Sequence, residues 1–203
     1  MARATPSRTS DAPRDAIALL KQDHRTVEQL FEEFAAAEES EQGDIAERVC
    51  QLLTVHAQIE EEILYPAAKE AFADEEDDDL VNEAEVEHAT AKDLIAKIEA
   101  MTPDDEPFKA TVKVLSEYIK HHVKEEESEL FPKLKKTELD LKELGDQLMQ
   151  RKLALMEELG IEEQGAAKDG ESSQRSRPSA NKASVKSVSK AGSRHRGSRA
   201  SRQ

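Results

Sequence analysis

The amino-acid sequence predicts an all-α fold: an antiparallel up-down four-helix bundle followed by an additional C-terminal helix and a basic tail. Three observations support this prediction. Trp is absent and Phe and Tyr together number only seven, which disfavours a β-sandwich. Ala, Glu, Leu and Lys, all good helix formers, dominate the middle of the chain. A pattern of histidine and glutamate also occurs twice, as expected for two similar helical hairpins that pack together.

Helix-start and helix-stop residues place five helices along the chain. We expect them at about 13–37, 45–65 or a little past Pro66, 79–100, 107–131 and 137–159. The signals are Ser10, Asp11 and Pro13 before the first helix, Asp44 as N-cap of the second, the acidic run 74–79 before the third, Pro132 near the end of the fourth and Gly160 after the fifth. The bundle then spans 13–160, between a disordered N-terminus at 1–12 and a disordered Ser/Arg/Lys-rich tail at 161–203.

Charge divides the chain into two parts. The formal net charge is −15, but residues 165–203 carry ten Lys or Arg against Asp169 and Glu171, a net of +8 that leaves −23 on the rest. The acidic part is expected to repel nucleic acid. The tail is expected at most to make weak, sequence-independent contacts with nucleic acid, because no aromatic residue lies among its charges for base stacking.

Cysteine usage and hydropathy indicate the compartment. Cys50 is the single cysteine, which excludes an internal disulfide, and its apolar helical surroundings predict a buried structural thiol. The N-terminus lacks the apolar run of a signal peptide, and no stretch of about 20 apolar residues occurs. We therefore expect a soluble, cytoplasmic protein with no membrane partner.

The internal repeat carries the functional prediction. The segments HAQIEEEILYP and HVKEEESELFP begin at His56 and His122, and each places a glutamate, Glu60 or Glu126, four residues later. His24 lies 32 residues before His56, and His88 lies 34 residues before His122. Each predicted hairpin thus carries the same residues, and a pseudo-twofold axis would bring them together in the bundle core.

These residues are predicted to bind metal because they share the apolar faces of their helices. His24, for example, has Leu20 and Val27 on its face. A lone histidine in such a place is more often a hydrogen-bonded core residue. Four imidazoles and two carboxylates in one dry core would instead leave many unsatisfied polar groups, each costing about 1–3 kcal/mol, unless a cation binds them. The predicted ligands are His24, His56, Glu60, His88, His122 and Glu126.

The ligand types narrow the choice of metal. Mixed imidazole and carboxylate ligation suits Fe, Mn or Zn, and the absence of cysteine ligands argues against a structural zinc site. Two carboxylates able to bridge favour a pair of ions. Glu61 is adjacent to a proposed ligand, and His121, at the edge of the apolar stripe, is expected to be solvated or to contact a ligand rather than the metal. The remaining glutamates are interpreted as a solvated face.

Together, one histidine in each of the first and third helices and HxxxE in the second and fourth, the last before LFP, resemble the hemerythrin HHE cation-binding family. The resemblance covers about residues 15–160. It implies a hemerythrin-like bundle with a non-haem di-iron centre, Mn or Zn being less favoured, that meets oxygen or its reduction products. Carried over by position, His24 and His56 would bind one iron, His88 and His122 the other, and Glu60 and Glu126 would bridge them.

One departure from the oxygen-carrying members affects the functional prediction. Those proteins place a second histidine one turn away on the third helix, whereas this sequence has Ala84 and Lys92 there. We therefore expect an open position on each ion and not a dedicated reversible oxygen carrier. Three functions remain open: binding or sensing oxygen or reacting with peroxide or nitric oxide in a stress response; an iron-responsive module without turnover; and a bundle tethered to nucleic acid by residues 165–203.

Overall fold

The computed structural model describes residues 15–72 and 75–161, and all regular elements within these ranges are helical. The α-helices are α1 Ala16–Ala36, α2 Glu39–Ile59, α3 Tyr65–Ala71, α4 Glu75–Glu99, α5 Phe108–Glu125, α6 Phe131–Leu134 and α7 Leu141–Glu158. Two π-helical segments, Glu60–Leu64 and Glu126–Leu130, connect α2 to α3 and α5 to α6. The predicted all-α class is confirmed. None of the described helices is long and apolar enough to cross a membrane.

Several predicted boundaries are wrong in detail. The second helix begins at Glu39 and not near residue 45, because Glu38 in an extended conformation is its N-cap, so most of the polar EESEQGD segment is helical. The acidic run before the third helix is also largely helical, since α4 begins at Glu75. The side chain of Asp15 caps α1 by accepting from the Ala18 amide at 2.8 Å, and Asp140 caps α7 in the same way.

Helical structure continues through Pro66 and Pro132. Pro66 and Pro132 follow the π segments and occupy the first turn of α3 and α6, so the fourth helix runs on to Leu134. A proline removes one backbone donor and crowds the preceding turn. The wider π turn before each proline accommodates this loss, and π turns inside helices are frequent at functional sites.

The last helix ends at Gly160, as predicted, and is followed by one further buried residue. Gly160 ends the fifth helix with a φ of 66°, a left-handed conformation that glycine adopts without strain. Ile161, which follows, is buried. The predicted disordered N-terminus at 1–12 and residues 162–203 of the predicted tail lie outside the described residues.

Two apolar clusters lie above and below the level of the four histidines. One contains residues from the start of α1, from both π segments and from α7. The other contains residues from the second half of α1, the middle of α2, the second half of α4 and the first part of α5. Along α1, for example, Leu20 belongs to the first cluster and Val27 to the second, with His24 between them. Packing on both sides thus excludes water from the polar layer and holds its side chains in place.

Helix α7 covers one half of the bundle. It packs against α1, α2 and the first π segment, and it approaches the start of α1 so closely that a Cβ on Gly145 would lie 2.6 Å from the Ala16 backbone nitrogen. Only glycine fits at this crossing. The contact fixes α7 beside the half that carries His24 and His56.

Candidate metal centre

The six predicted ligands come together in the centre of the bundle, and all are buried. Their atoms form two groups within which every ligand atom lies within 4.8 Å of the others: His24, His56, Glu60 and Glu126, and Glu60, His88 and His122. The helical spacing explains this arrangement, because residues four apart stand one turn from each other on the same face. That these residues ligate a metal remains a prediction, but their convergence satisfies its geometric requirement.

The histidine nitrogens meet in pairs. His24 Nε2 lies 3.1 Å from His56 Nε2, and His88 Nε2 lies 3.1 Å from His122 Nε2. Two imidazoles bound at right angles to one ion, each with a metal–nitrogen distance of about 2.1 Å, would place their nitrogens about 3 Å apart. Each pair therefore has the separation that joint ligation of one cation requires.

The two carboxylates lie between the pairs. Glu60 Oε2 is 3.2 Å from His56 Nε2 and 3.5 Å from His88 Nε2. Glu126 Oε2 is 3.2 Å from His24 Nε2 and 3.7 Å from His122 Nε2. One oxygen of each glutamate thus adjoins a histidine of both pairs, which is the position expected of a carboxylate that bridges two ions.

Unpartnered atoms test whether a cation fits. Among described residues, the buried side-chain atoms without a hydrogen-bond partner include both carboxylate oxygens of Glu60, Oε2 of Glu126 and Nδ1 of His56. Leaving buried carboxylate oxygens unpartnered costs on the order of 1–3 kcal/mol per group or more. A cation between the imidazole Nε2 atoms would satisfy the three carboxylate oxygens, so the donor set fits a metal. His56 Nδ1 lies on the outer side of its ring, toward Asp23.

The pKa shifts of these residues also bear on cation binding. Burial and the nearby Glu126 raise the pKa of Glu60 well above its usual range. Burial alone would also raise the pKa of Glu126, but the imidazoles of His122 and His24 outweigh it and the pKa lies below its usual range. Burial and the neighbouring His122 lower the pKa of His88 to about 3. The His88 imidazole is therefore neutral at physiological pH and offers a lone pair, as metal binding requires.

The outer nitrogens of the histidines face a ring of four carboxylates. His24 Nδ1 lies 3.0 Å from Glu127, His88 Nδ1 3.1 Å from Glu61 and His122 Nδ1 2.7 Å from Glu87. His56 Nδ1 lies 3.6 Å from Asp23, too far for a hydrogen bond. Such carboxylates fix the tautomer and orientation of an imidazole and increase its basicity toward metal.

Sequence reasoning missed this outer ring by assigning most glutamates to a solvated face. The signal was present in the repeat. Asp23 and Glu87 each precede a histidine by one residue, and Glu61 and Glu127 each follow a bridging glutamate by one residue. The four positions therefore obey the same repeat as the ligands. The expectation for His121 agrees with the structure: it is largely exposed, lies 3.2 Å from Glu125 and does not enter the centre.

An enclosed apolar cavity adjoins the imidazole side of the centre. Its volume is about 20 Å³, which is room for about one small molecule. Apart from the histidines, its lining includes Val27, Leu53, Ala57, Ala91, Ile95 and Ile119, with Asp23 and Lys92 as its charged members. A larger surface groove of about 250 Å³ between α1 and α5 shares His24, Ile119 and Val123 with the cavity.

Comparison with known proteins agrees with this geometry. The model of the hemerythrin HHE cation binding domain matches residues 15–134, which contain all six proposed ligands. The chain belongs to the hemerythrin HHE cation-binding family. It is therefore a metal-binding, hemerythrin-like protein, and the family prediction from the repeat is confirmed. Helix α7, which begins at Leu141, lies beyond the matched region.

One solved structure and one curated relative illustrate the range of similarity. A crystal structure of a hemerythrin HHE cation binding domain-containing protein from Mycobacterium kansasii matches with a TM-score of 0.61 at 21% identity, over 71% of this chain and 88% of that one, which shows the shared fold. A DNA nickase from Nostoc sp. is 30% identical over 114 residues. That match covers 56% of this chain but only 31% of the nickase, so the chain corresponds to about a third of the relative's length.

Proposed function

We propose that this hemerythrin-like protein holds a non-haem di-iron centre that takes a small ligand of the oxygen, nitric oxide or peroxide class, in a cytoplasmic response to stress. The observation that carries the proposal is the pairing of Nε2 atoms, two imidazoles for each cation position, with one oxygen of Glu60 and one of Glu126 adjoining both positions. Iron is favoured because imidazole and carboxylate ligands suit it and because an iron pair supplies the redox chemistry that such ligands require.

The surroundings of the centre support a small ligand with little charge. The adjoining cavity of about 20 Å³ has room only for a molecule of a few atoms, and aliphatic side chains form much of its wall. The groove between α1 and α5 is the proposed access route, because Ile119 and Val123 line both the groove and the cavity. Larger organic substrates have no room at the imidazoles.

The chain's own residues have distinct tasks in this proposal. The histidines hold the cations, and the outer carboxylates fix the imidazole rings. Burial and Glu126 raise the pKa of Glu60, so its carboxyl group would have to release a proton for a cation to bind there. The aliphatic cavity excludes bulk water from the ligand position.

Metal content and the visible spectrum test the proposal. Protein loaded anaerobically with ferrous iron and then exposed to air should hold about two irons per chain and develop a near-ultraviolet charge-transfer band, and both should be lost in Glu126→Ala. Glu129→Ala, an exposed glutamate on the same segment, is the matched control and should behave as the wild type. Absence of stoichiometric metal, or equal binding by the two variants, would contradict the di-iron centre.

The ligand class needs a separate measurement. Stopped-flow mixing of the ferrous protein with oxygen, nitric oxide or peroxide should give spectral changes that Ile119→Trp slows, because the larger side chain narrows the access route. If metal loading instead protects the protein from proteolysis and none of these ligands changes the spectrum, an iron-responsive module without turnover replaces this proposal.

Contact with nucleic acid is a second candidate, favoured by the basic composition of residues 165–203 and by the DNA nickase among the relatives. Nuclease activity itself stays a property of that longer protein. Binding through the tail should be sequence-independent and should weaken steeply with salt. Deletion of residues 165–203 should abolish retention on a duplex DNA column at low salt; unchanged retention would reject this candidate.

A further inference from the structure

One buried hydroxyl breaks the symmetry of the metal centre. Tyr65 is fully buried, and its hydroxyl donates a hydrogen bond to Glu126 Oε1 at 3.0 Å. The Tyr65 hydroxyl oxygen also lies 3.3 Å from His88 Nε2, the nitrogen that faces the second cation position. Tyr65 comes from the first half of the chain, but its hydroxyl reaches residues of the second.

The equivalent position in the other half has no hydroxyl. Tyr65 follows Glu60 by five residues, and Phe131 follows Glu126 by five. The Phe131 ring stacks on the His24 imidazole, with centroids 5.9 Å apart and planes 5° from parallel. Each aromatic residue thus packs on a histidine of the opposite half, but only one of them adds a polar atom.

The hydrogen-bond inventory of the two bridging glutamates reflects this difference. Both carboxylate oxygens of Glu60 lack a partner, whereas only Oε2 of Glu126 does, because Tyr65 occupies Oε1. The donor restrains the rotation of the Glu126 carboxylate and occupies one lone pair of Oε1. Glu60 has no such restraint.

We propose that Tyr65 is a residue of the metal centre that makes its two cation positions inequivalent. The position of His88 and His122 has a hydroxyl oxygen beside it, while the position of His24 and His56 has only the Phe131 ring. The inference rests on the proposed two-cation centre and goes beyond it, because the sequence repeat by itself gives both positions the same types of ligand.

Iron-57 Mössbauer spectroscopy of the anaerobic ferrous protein tests the inference. The wild type should give two quadrupole doublets of equal area, and Tyr65→Phe should give doublets whose quadrupole splittings lie closer together. Tyr118→Phe, which alters the other tyrosine of the chain, is the matched control and should leave two doublets. The stepwise dissociation constants for Mn²⁺ give a readout without iron: they should differ by about tenfold or more in the wild type and converge in Tyr65→Phe.

A second variant adds a hydroxyl at the equivalent position of the other half. Phe131→Tyr should supply the missing hydroxyl and also bring the doublets together, without removing any existing hydrogen bond, so it remains informative if Tyr65→Phe does not fold. The double variant, Tyr65→Phe with Phe131→Tyr, should restore the separation between the two doublets.

Two results would overturn the inference. A single doublet in the wild type, or two doublets that persist unchanged in both Tyr65→Phe and Phe131→Tyr, would show that the hydroxyl does not distinguish the positions, while about two irons per chain would leave the di-iron proposal intact. Failure of the wild type to hold about two irons would instead reject the di-iron centre and this inference with it.

Discussion

The two halves of the bundle, residues 16–71 and 75–134, have the same inner residues but different surroundings. In each half a histidine pair meets with Nε2 atoms 3.1 Å apart, and a glutamate at the start of a π segment lies between the pairs. Around this shared core the halves diverge. The first half is covered by α7, which has no counterpart in the repeat.

The divergence is clearest at the carboxylates beside His56 and His122. In the second half Glu87 accepts a 2.7 Å hydrogen bond from His122 Nδ1. In the first half Asp23 lies 3.6 Å from His56 Nδ1 and pairs instead with Lys152 of α7. Burial would raise the pKa of Asp23, but His56 and Lys152 outweigh it and the pKa lies below its usual range. The shared inner set meets the demands of cation binding, while the outer contacts are free to make the two positions different.

The largest expected effect comes from replacing one histidine of a proposed ligand pair. His122→Ala should reduce the metal content from about two cations to about one per chain, with more than about a 100-fold loss of affinity at that position, because a direct ligand is lost. Elemental analysis and a Mn²⁺ titration measure both quantities. His121→Ala, which removes the exposed neighbouring histidine, should keep wild-type content; equal losses in the two variants would show that the predicted ligand set is wrong.

The second test weakens the packing of α7 on the first half. Gly145→Val should lower the free energy of unfolding by about 1–3 kcal/mol, because its Cβ would collide with the backbone at Ala16. This sign is opposite to that of an ordinary glycine replacement within a helix, which is favourable. Asp146→Val introduces the same side chain at the exposed neighbouring position and should be nearly neutral in urea unfolding. A Gly145→Val protein as stable as the wild type would mean that α7 does not pack closely on α1.

The third test compares the outer carboxylates. Glu87→Gln should weaken cation binding by about 10–100-fold, because His122 loses a charged hydrogen-bond acceptor. Asp23→Asn should cost less, about tenfold or below, because its contact with His56 is longer than a hydrogen bond. Mn²⁺ titrations of both variants, with the exposed Glu83→Gln as control, measure the difference. A larger loss in Asp23→Asn would show that α7 and Lys152 matter more to the centre than the direct contact at Glu87.

The smallest expected effect concerns Cys50, which stands where the second half has Ser116. Burial and nearby acidic residues raise the pKa of the Cys50 thiol to about 12, so at pH 8 only about one molecule in 10⁴ carries the thiolate and native alkylation should be slow. Because the folded state disfavours the thiolate, the free energy of unfolding should fall as pH rises above about 8.5, the pKa of an unfolded thiol.

Alkylation kinetics and urea unfolding between pH 7 and 10 check both statements. Cys50→Ser should cost about 1–2 kcal/mol, since a hydroxyl would be buried there, and should abolish the cysteine-dependent part of the pH effect. Rapid alkylation of the folded protein would contradict the buried thiol.

Much of the fold and the inner set of the site could be predicted from local pattern. Helix formers, the 3.6-residue spacing of apolar positions and the repeated HxxxE indicate which faces point inward. The repeat and the apolar spacing together predict that His122, and not His121, lies in the centre, and His122 is buried. Helix ends were less predictable. Pro132 predicts the end of the fourth helix. In the structure a π segment precedes this proline, and the helical chain continues to Leu134.

By itself the sequence determined the all-α fold, the repeated hairpins and the six converging side chains, because each depends on spacing along one helix. The tertiary structure decided the contacts between different helices: the outer carboxylate that each imidazole meets, the approach of α7 at Gly145 and the hydrogen bond from Tyr65 to Glu126. Tyr65 and Glu126 are 61 residues apart in the chain. No local period links such residues, so only the packing of whole helices brings them into contact.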